Sequence, residues 1–373
     1  MSDVDRMGMM PAPPPPDEIQ ASGARLAWFL AVAYLLLILY ASLTPFSGWR
    51  APTLDPTAFL TAPWPRYWTG FDLAINAIAY LPLGLLLTLA IMTYLPRDAA
   101  LLGATLASGL VSFGLEFAQG FLPGRISSNL DFAMNLTGAF VGAMIAVRTG
   151  SLDFVWWRFA DVRNRFRSGV HTDLGLALLA LWFASQLNPS LPLLGNVASG
   201  AIPAVALHPG YAAPRFSFLE MGAVTFTLLA VGLVLSFLVH RWWQALIGTT
   251  LLALAAGLIK LVAAYLLLKP EARFEWLSRE VWIGAGYGLA LLGLSLLTSE
   301  RWRRGVCALS LLTVIVLTQI FARQASDAHF LRLFNWHYGQ LLNFTGLARA
   351  VAQAWPFLAL VWLYLGRGRS SAR

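Results

Sequence analysis

The sequence predicts an all-α, polytopic transmembrane helical bundle of about ten spans, on three observations. The 373 residues are 58% hydrophobic and only 12% charged, where a soluble domain carries roughly a quarter charged residues. Uncharged apolar runs recur at about 18 residues, long enough for a helix to cross the hydrocarbon core; Leu26 to Leu43 is the clearest and Val306 to Ala322 comes close. These are unbroken Leu, Ala and Val rather than an apolar–polar alternation. That excludes a β-barrel and leaves the helix as the element that pairs every peptide group in lipid.

Residues 1–25, with Met7 to Met10 and the run Pro13 to Pro16, are polar and proline-rich and read as a disordered tail. Leu26 to Leu43 follows as a signal-anchor helix; Asp17 and Glu18 on its flank, and its length, argue against a cleaved signal peptide. Spans are expected near Phe71–Tyr94, Ala100–Phe121 and Leu130–Val147, closing a first membrane domain over 26–150. A basic linker, 151–171, holds the dense cluster Arg158 to Arg167 with Trp156 and Trp157 beside it, as an interfacial segment would. The second domain, 172–373, is expected to contain about six helices. They fall near Leu174–Leu187, Phe216–Val239, Gln244–Leu268, Glu280–Leu297, Val306–Ala322 and Leu347–Leu365. The first of these is the shortest and begins nearer Val170 or crosses only partly.

Charge sets the orientation. With the N-terminus inside, the inner segments hold Arg6, Arg25, Arg97, Arg148, Arg158, Arg163, Arg165, Arg167, Arg241, Arg301, Arg303, Arg304, Arg367, Arg369 and Arg373, which is fifteen. The outer segments hold ten, namely Arg50, Arg66, Arg125, Arg215, Lys269, Arg273, Arg279, Arg323, Arg332 and Arg349, while Lys260 lies within a span. Positive charge favours the cytoplasm, so both termini are expected there. The formal net charge of +8 is then read as loops facing anionic membrane lipid and not as a nucleic-acid surface. Cys307 is the only cysteine, so neither an internal disulfide nor a cysteine metal cluster can form.

Ionisable groups inside spans are costly and are functional candidates by default. Asp72, Asn76, Tyr80 and Gly84 recur every four residues and stack on one helix face, and Pro82 interrupts the same helix. Ser112, Glu116 and Gln119 share a face of the next. A turn follows at Pro123-Gly124-Arg125, then Ser127 and Ser128, either of which can cap a helix carrying Asp131, Asn135, Gly138 and Gly142. Gly138 and Gly142 form a small-xxx-small pair that lets a neighbouring backbone approach and turns the Asp131–Asn135 face inward. The expected ligand-binding set is therefore Asp72, Asn76, Tyr80, Glu116, Gln119, Arg125, Asp131 and Asn135, in one polar pocket opening outward. The bland alternative is a structural ion-pair triad of Glu116, Arg125 and Asp131.

These residues also carry a resemblance. Tyr40-Ala-Ser-Leu-Thr-Pro-Phe46, Asp72-Leu-Ala-Ile-Asn-Ala-Ile-Ala-Tyr-Leu-Pro-Leu-Gly84, and Glu116-Phe-Ala-Gln-Gly-Phe-Leu-Pro-Gly-Arg125 with Asp131 and Asn135 resemble the VanZ-like family over roughly residues 26–148. The family takes its name from a protein associated with resistance to the glycopeptide teicoplanin. The resemblance implies a role in the bacterial cell envelope, in the cytoplasmic membrane. The later helices go beyond a minimal VanZ-like protein.

No Walker-type phosphate loop and no His-Glu-x-x-His signature occurs. No metal and no cofactor is expected; His329 and His337, in the polar aromatic stretch Phe334 to Gly346, read as interfacial side chains. Three function classes follow. In the first, the pocket binds an anionic or hydroxyl-rich head group, such as that of a lipid-linked cell-wall precursor, with Arg125 meeting phosphate or carboxylate. In the second, an intramembrane enzyme uses Glu116 or Asp131 as general acid on a lipid-linked substrate. In the third, a transporter uses Glu220 and Lys260, on successive spans, as paired coupling charges.

Overall fold

Peptide groups in a chain this apolar are satisfied locally, and the computed structural model is helical throughout. It describes residues 16–52, 55–149, 162–189, 193–194, 218–274, 276–322 and 339–366. Among them are ten α-helices: α1 Pro16–Leu43, α2 Gly70–Ile91, α3 Arg97–Gln119, α4 Asn129–Thr149, α5 Val170–Ser185, α6 Phe218–Leu238, α7 Trp242–Leu267, α8 Arg279–Leu296, α9 Glu300–Ala322 and α10 Gly339–Leu365. Two short 3₁₀ turns, Ala58–Leu60 and Pro270–Ala272, lie in connections, and the described residues contain no strand, only an isolated bridge between Phe166 and Val239.

Seven stretches are long and apolar enough to cross a membrane: Gly23–Leu43, Gly70–Ile91, Arg97–Gln119, Asn129–Thr149, Phe218–Leu238, Trp242–Leu267 and Gly346–Leu365. Ten helices are described, but α5, α8 and α9 do not meet that description, so the expectation of about ten spans is not confirmed beyond these seven. α5 has 16 residues and starts at Val170, while α9 opens on Glu300, Arg301, Arg303 and Arg304. α1 begins before Leu26, so residues 16–25, read from sequence as part of a disordered tail, are helical. A proline is tolerated at a first helical position. Residues 1–15, the cluster at Trp156, Trp157 and Arg158, and His329, Phe334 and His337 lie outside the described residues.

Helices α1 to α4 pack mutually, with α2 against α4 the most extensive pairing. The second group surrounds α6, which is buried on every side from Ala223 to Leu238 except at Phe226, with α8, α9, α7 and α5 against it. α10 packs on α5 and α9, and α1 joins the two groups by touching α5 and α10. Outward surfaces are apolar: Leu102, Leu106 and Leu110 on α3, and Leu251, Leu254 and Leu258 on α7, are exposed in rows that suit lipid and not water.

The α2–α4 contact rests on glycine. A Cβ on Gly138 would collide with the Ala77 carbonyl, one on Gly142 with the Leu81 carbonyl, and one on Gly84 with the Ala139 carbonyl. The two backbones therefore touch directly, as a small-xxx-small pair allows. α8 repeats the device against α6, where Gly284 meets the Met221 carbonyl and Gly288 that of Thr225.

Candidate functional site

Four chain segments converge at one end of the first bundle: the end of α1, the start of α2, the end of α3 and the start of α4. Local capping chemistry fixes the two helix starts. Thr69 caps α2 through a capping box, its Oγ1 accepting from Asp72 N at 3.2 Å while the Asp72 carboxylate accepts from Thr69 N at 3.1 Å and from its hydroxyl at 2.8 Å. Ser128 caps α4, its Oγ accepting from the amides of Leu130 (3.2 Å) and Asp131 (3.3 Å). Between α3 and α4 the chain reverses at Gly124, whose φ of 81° lies in the left-handed region that favours glycine.

Glu116, 4% exposed, reaches across that turn. Its Oε2 accepts from Ser128 N at 2.8 Å, and Ser127 Oγ donates to the Glu116 carbonyl at 2.5 Å. Arg125 and Gln119 face the other way, onto α1. Arg125 Nη2 donates to the carbonyls of Ala41 (3.2 Å) and Thr44 (3.1 Å), and Gln119 Nε2 donates to that of Ser42 at 3.2 Å. Partial burial lowers the pKa of the Arg125 guanidinium, and the nearby Glu116 carboxylate opposes the shift.

A second tier lies deeper between the helices. Asp131 has Asp72 and the Asn76 amide as neighbours, and Asn76 Nδ2 is buried without a closed hydrogen bond. Below it, Asn135 Nδ2 donates to Ser112 Oγ at 3.0 Å, the Tyr80 hydroxyl lies within reach of the same serine, and Asn135 Oδ1 is buried and unpartnered. From Asp72 to Tyr80 is eight residues, about 12 Å at 1.5 Å per residue, so the polar tiers run well into the bundle.

Above the tiers, the connection 44–69 is tied to the α3–α4 turn by Arg50 N to the Phe121 carbonyl at 3.0 Å and by Asn129 Nδ2 to the Ala62 carbonyl at 2.6 Å. Residues 26–152, the segment that holds this whole arrangement, match the VanZ/LLP1 family model. The N-terminal region is VanZ-like. No curated protein and no solved structure matches the chain. With seven apolar helices of spanning length, the VanZ-like region places the chain among membrane proteins.

All eight candidate residues of the VanZ-like region sit at this one end, but in two roles. Asp72, Glu116, Gln119 and Arg125 bind caps, turns and α1 carbonyls, whereas Asn76, Tyr80, Asp131 and Asn135 face one another across α2, α3 and α4. Sequence reading missed the Thr69 cap, although Thr-x-x-Asp before an apolar run is a recognisable start signal. It also missed Tyr34, whose hydroxyl donates to the Ala79 carbonyl at 2.9 Å and holds α1 on α2. In the second bundle, Lys260 Nζ donates to the Asn188 carbonyl at 2.6 Å and Glu220 accepts from Ser278 Oγ at 2.8 Å, so these are the partners seen for that expected pair.

Proposed function

We propose that the chain is a multi-pass protein of the bacterial cytoplasmic membrane, both termini cytoplasmic, whose VanZ-like bundle binds the hydroxyl-rich head group of a lipid-linked cell-wall precursor at its outer end. The observation that carries this reading is the facing of Asp131 and Asn76 across the α2–α4 contact, beside Glu116, with the Asn76 amide nitrogen buried and unclosed. A buried donor that faces a carboxylate without closing a hydrogen bond to it is costly, and a ligand oxygen relieves that cost. The carboxylates of Asp72, Asp131 and Glu116 neighbour one another in turn, and Glu116 lies near the Arg125 guanidinium, whose Nη2 already holds the carbonyls of Ala41 and Thr44. That balance favours hydroxyls, which donate to carboxylates, over a phosphate or carboxylate as the group held by the deeper tier.

The test is binding of a polyprenyl-linked saccharide to the purified full-length protein in nanodiscs. Asp131→Asn and Asn76→Leu should each weaken binding about tenfold or more, the loss of one charge-assisted hydrogen bond. Equal binding by both variants removes the reading. Orientation is tested separately with Ile126→Cys, since Ile126 is 87% exposed on the α3–α4 turn and the native Cys307 is buried. A membrane-impermeant maleimide should label it from outside intact cells; labelling only after permeabilisation reverses the topology.

A further inference from the structure

The opposite end of the molecule gathers arginines for which the VanZ-like site has no use. Arg167, in the chain before α5, is fixed by its backbone N to the Leu238 carbonyl at 2.7 Å and by its Nε to the Val239 carbonyl at 3.1 Å. Arg303 and Arg304 come from the first turn of α9 and lie over the Phe237 ring of α6, with Cζ at 5.9 Å and 5.3 Å from its centroid. One carboxylate sits among them: Glu300 accepts from Arg304 Nε at 3.1 Å and Nη2 at 2.8 Å. The three guanidiniums are close enough to act on one another and on Glu300.

Solvated arginines on a cytoplasmic loop would point outward, as Arg301 does. Arg303 and Arg304 instead turn inward and are half-buried, and Arg303 Nε is buried with no hydrogen-bond partner. Like charges held together by aromatic stacking and by backbone carbonyls repel, and one carboxylate offsets only one of three. Trp242, Trp243 and Trp302 are exposed at the same end, which is where an aromatic belt marks the membrane–water boundary. Both lipid phosphates and dissolved anions reach that depth.

We propose that Arg167, Arg303 and Arg304, gathered over Phe237 around Glu300, form a binding site for a phosphate group at the end of the second bundle. Arg303 supplies the unengaged donors, Arg167 closes the site from the chain before α5, and Glu300 is an internal competitor for the same guanidiniums.

The full-length protein is placed in phosphatidylcholine nanodiscs and its thermal unfolding followed by tryptophan fluorescence. Inorganic phosphate is titrated at constant ionic strength, and a second preparation contains phosphatidylglycerol. A saturable rise in Tm with inorganic phosphate supports the site with a soluble source; a rise only with phosphatidylglycerol supports it with a lipid source. Arg303→Gln should weaken the effective arm about tenfold, Glu300→Gln should tighten it, and Arg301→Gln, at an exposed neighbour, should leave it unchanged. No rise in either arm, a rise matched by chloride, or binding that is unchanged in Arg303→Gln overturns the proposal. If Arg303→Gln does not fold, unchanged binding in Glu300→Gln overturns it instead.

Discussion

Adding one methyl group at Gly138 should disturb the VanZ-like bundle more than any comparable change on its surface. In Gly138→Ala the new Cβ lands on the Ala77 carbonyl, a backbone atom that no rotamer change can move. α2 and α4 must therefore part by roughly 1 Å to restore van der Waals distance, and overpacking of this kind costs about 1–3 kcal/mol. Alanine also favours helix over glycine by about 0.5–1 kcal/mol, so the informative comparison is with Gly103→Ala and Gly114→Ala on α3, where a Cβ meets nothing. Those two should be neutral or slightly stabilising, leaving a gap of about 1–3 kcal/mol between them and Gly138→Ala. The measurement is unfolding of the detergent-solubilised protein by heat or by increasing SDS fraction. Adding Gly142→Ala, which clashes with Leu81 on the same seam, should cost less than the sum of the singles, because the first substitution has already separated the helices. A Gly138→Ala protein as stable as Gly103→Ala would refute the direct backbone contact.

Two further substitutions test the ends of α1. Arg125→Gln removes the charged donor shared by Ala41 and Thr44 and should destabilise by about 1.5–3 kcal/mol in thermal unfolding; Arg125→Lys should recover only part, since an ammonium lacks the fork that spans two carbonyls. Asp173 is 0% exposed and accepts from Arg25 Nε at 2.5 Å and Arg163 Nη2 at 2.6 Å. Asp173→Asn leaves the buried Arg163 charge uncompensated and should cost about 3–5 kcal/mol, read as loss of folded protein on extraction, with the Arg163→Met, Asp173→Leu double variant recovering most of it.

How much was legible in the sequence depended on whether the signal was local. Helix existence followed from apolar run length, and a close backbone approach at Gly138 and Gly142 followed because spacing of four residues fixes a common face, although that spacing did not say that α2 is the neighbour. The grouping of Asp72, Asn76, Glu116, Asp131 and Asn135 at one end followed from alternating helix direction. What did not follow was the division of labour among them. Whether Arg125 meets a ligand or the α1 carbonyls depends on where α1 ends relative to a turn 81 residues later, and no periodicity carries that distance. The same holds for Arg25, Arg163 and Asp173, which lie in three separate segments and meet only in the fold. The start of α1 was misplaced because Pro13 to Pro16 dominates the local composition, although a helix can begin at its last proline.

The geometry of α1 suggests why these distant contacts matter more than their number implies. The helix is held near its beginning by Arg25 on Asp173 of α5 and at its end by Arg125 and Gln119 on the carbonyls of Ala41, Ser42 and Thr44. From residue 25 to residue 44 is 19 steps, about 28 Å at 1.5 Å per residue, close to the roughly 30 Å thickness of the hydrocarbon core. The two sets of polar contacts are thus spaced as the two boundaries of a membrane are, and the segment between them is apolar apart from Trp28, Tyr34, Tyr40 and Ser42, with the Tyr34 hydroxyl bonded to α2. One anchor belongs to the second bundle and the other to the VanZ-like turn. A sliding of α1 along its axis would have to break both at once, so α1 acts as a strut that fixes the depth of the polar tiers relative to the second bundle.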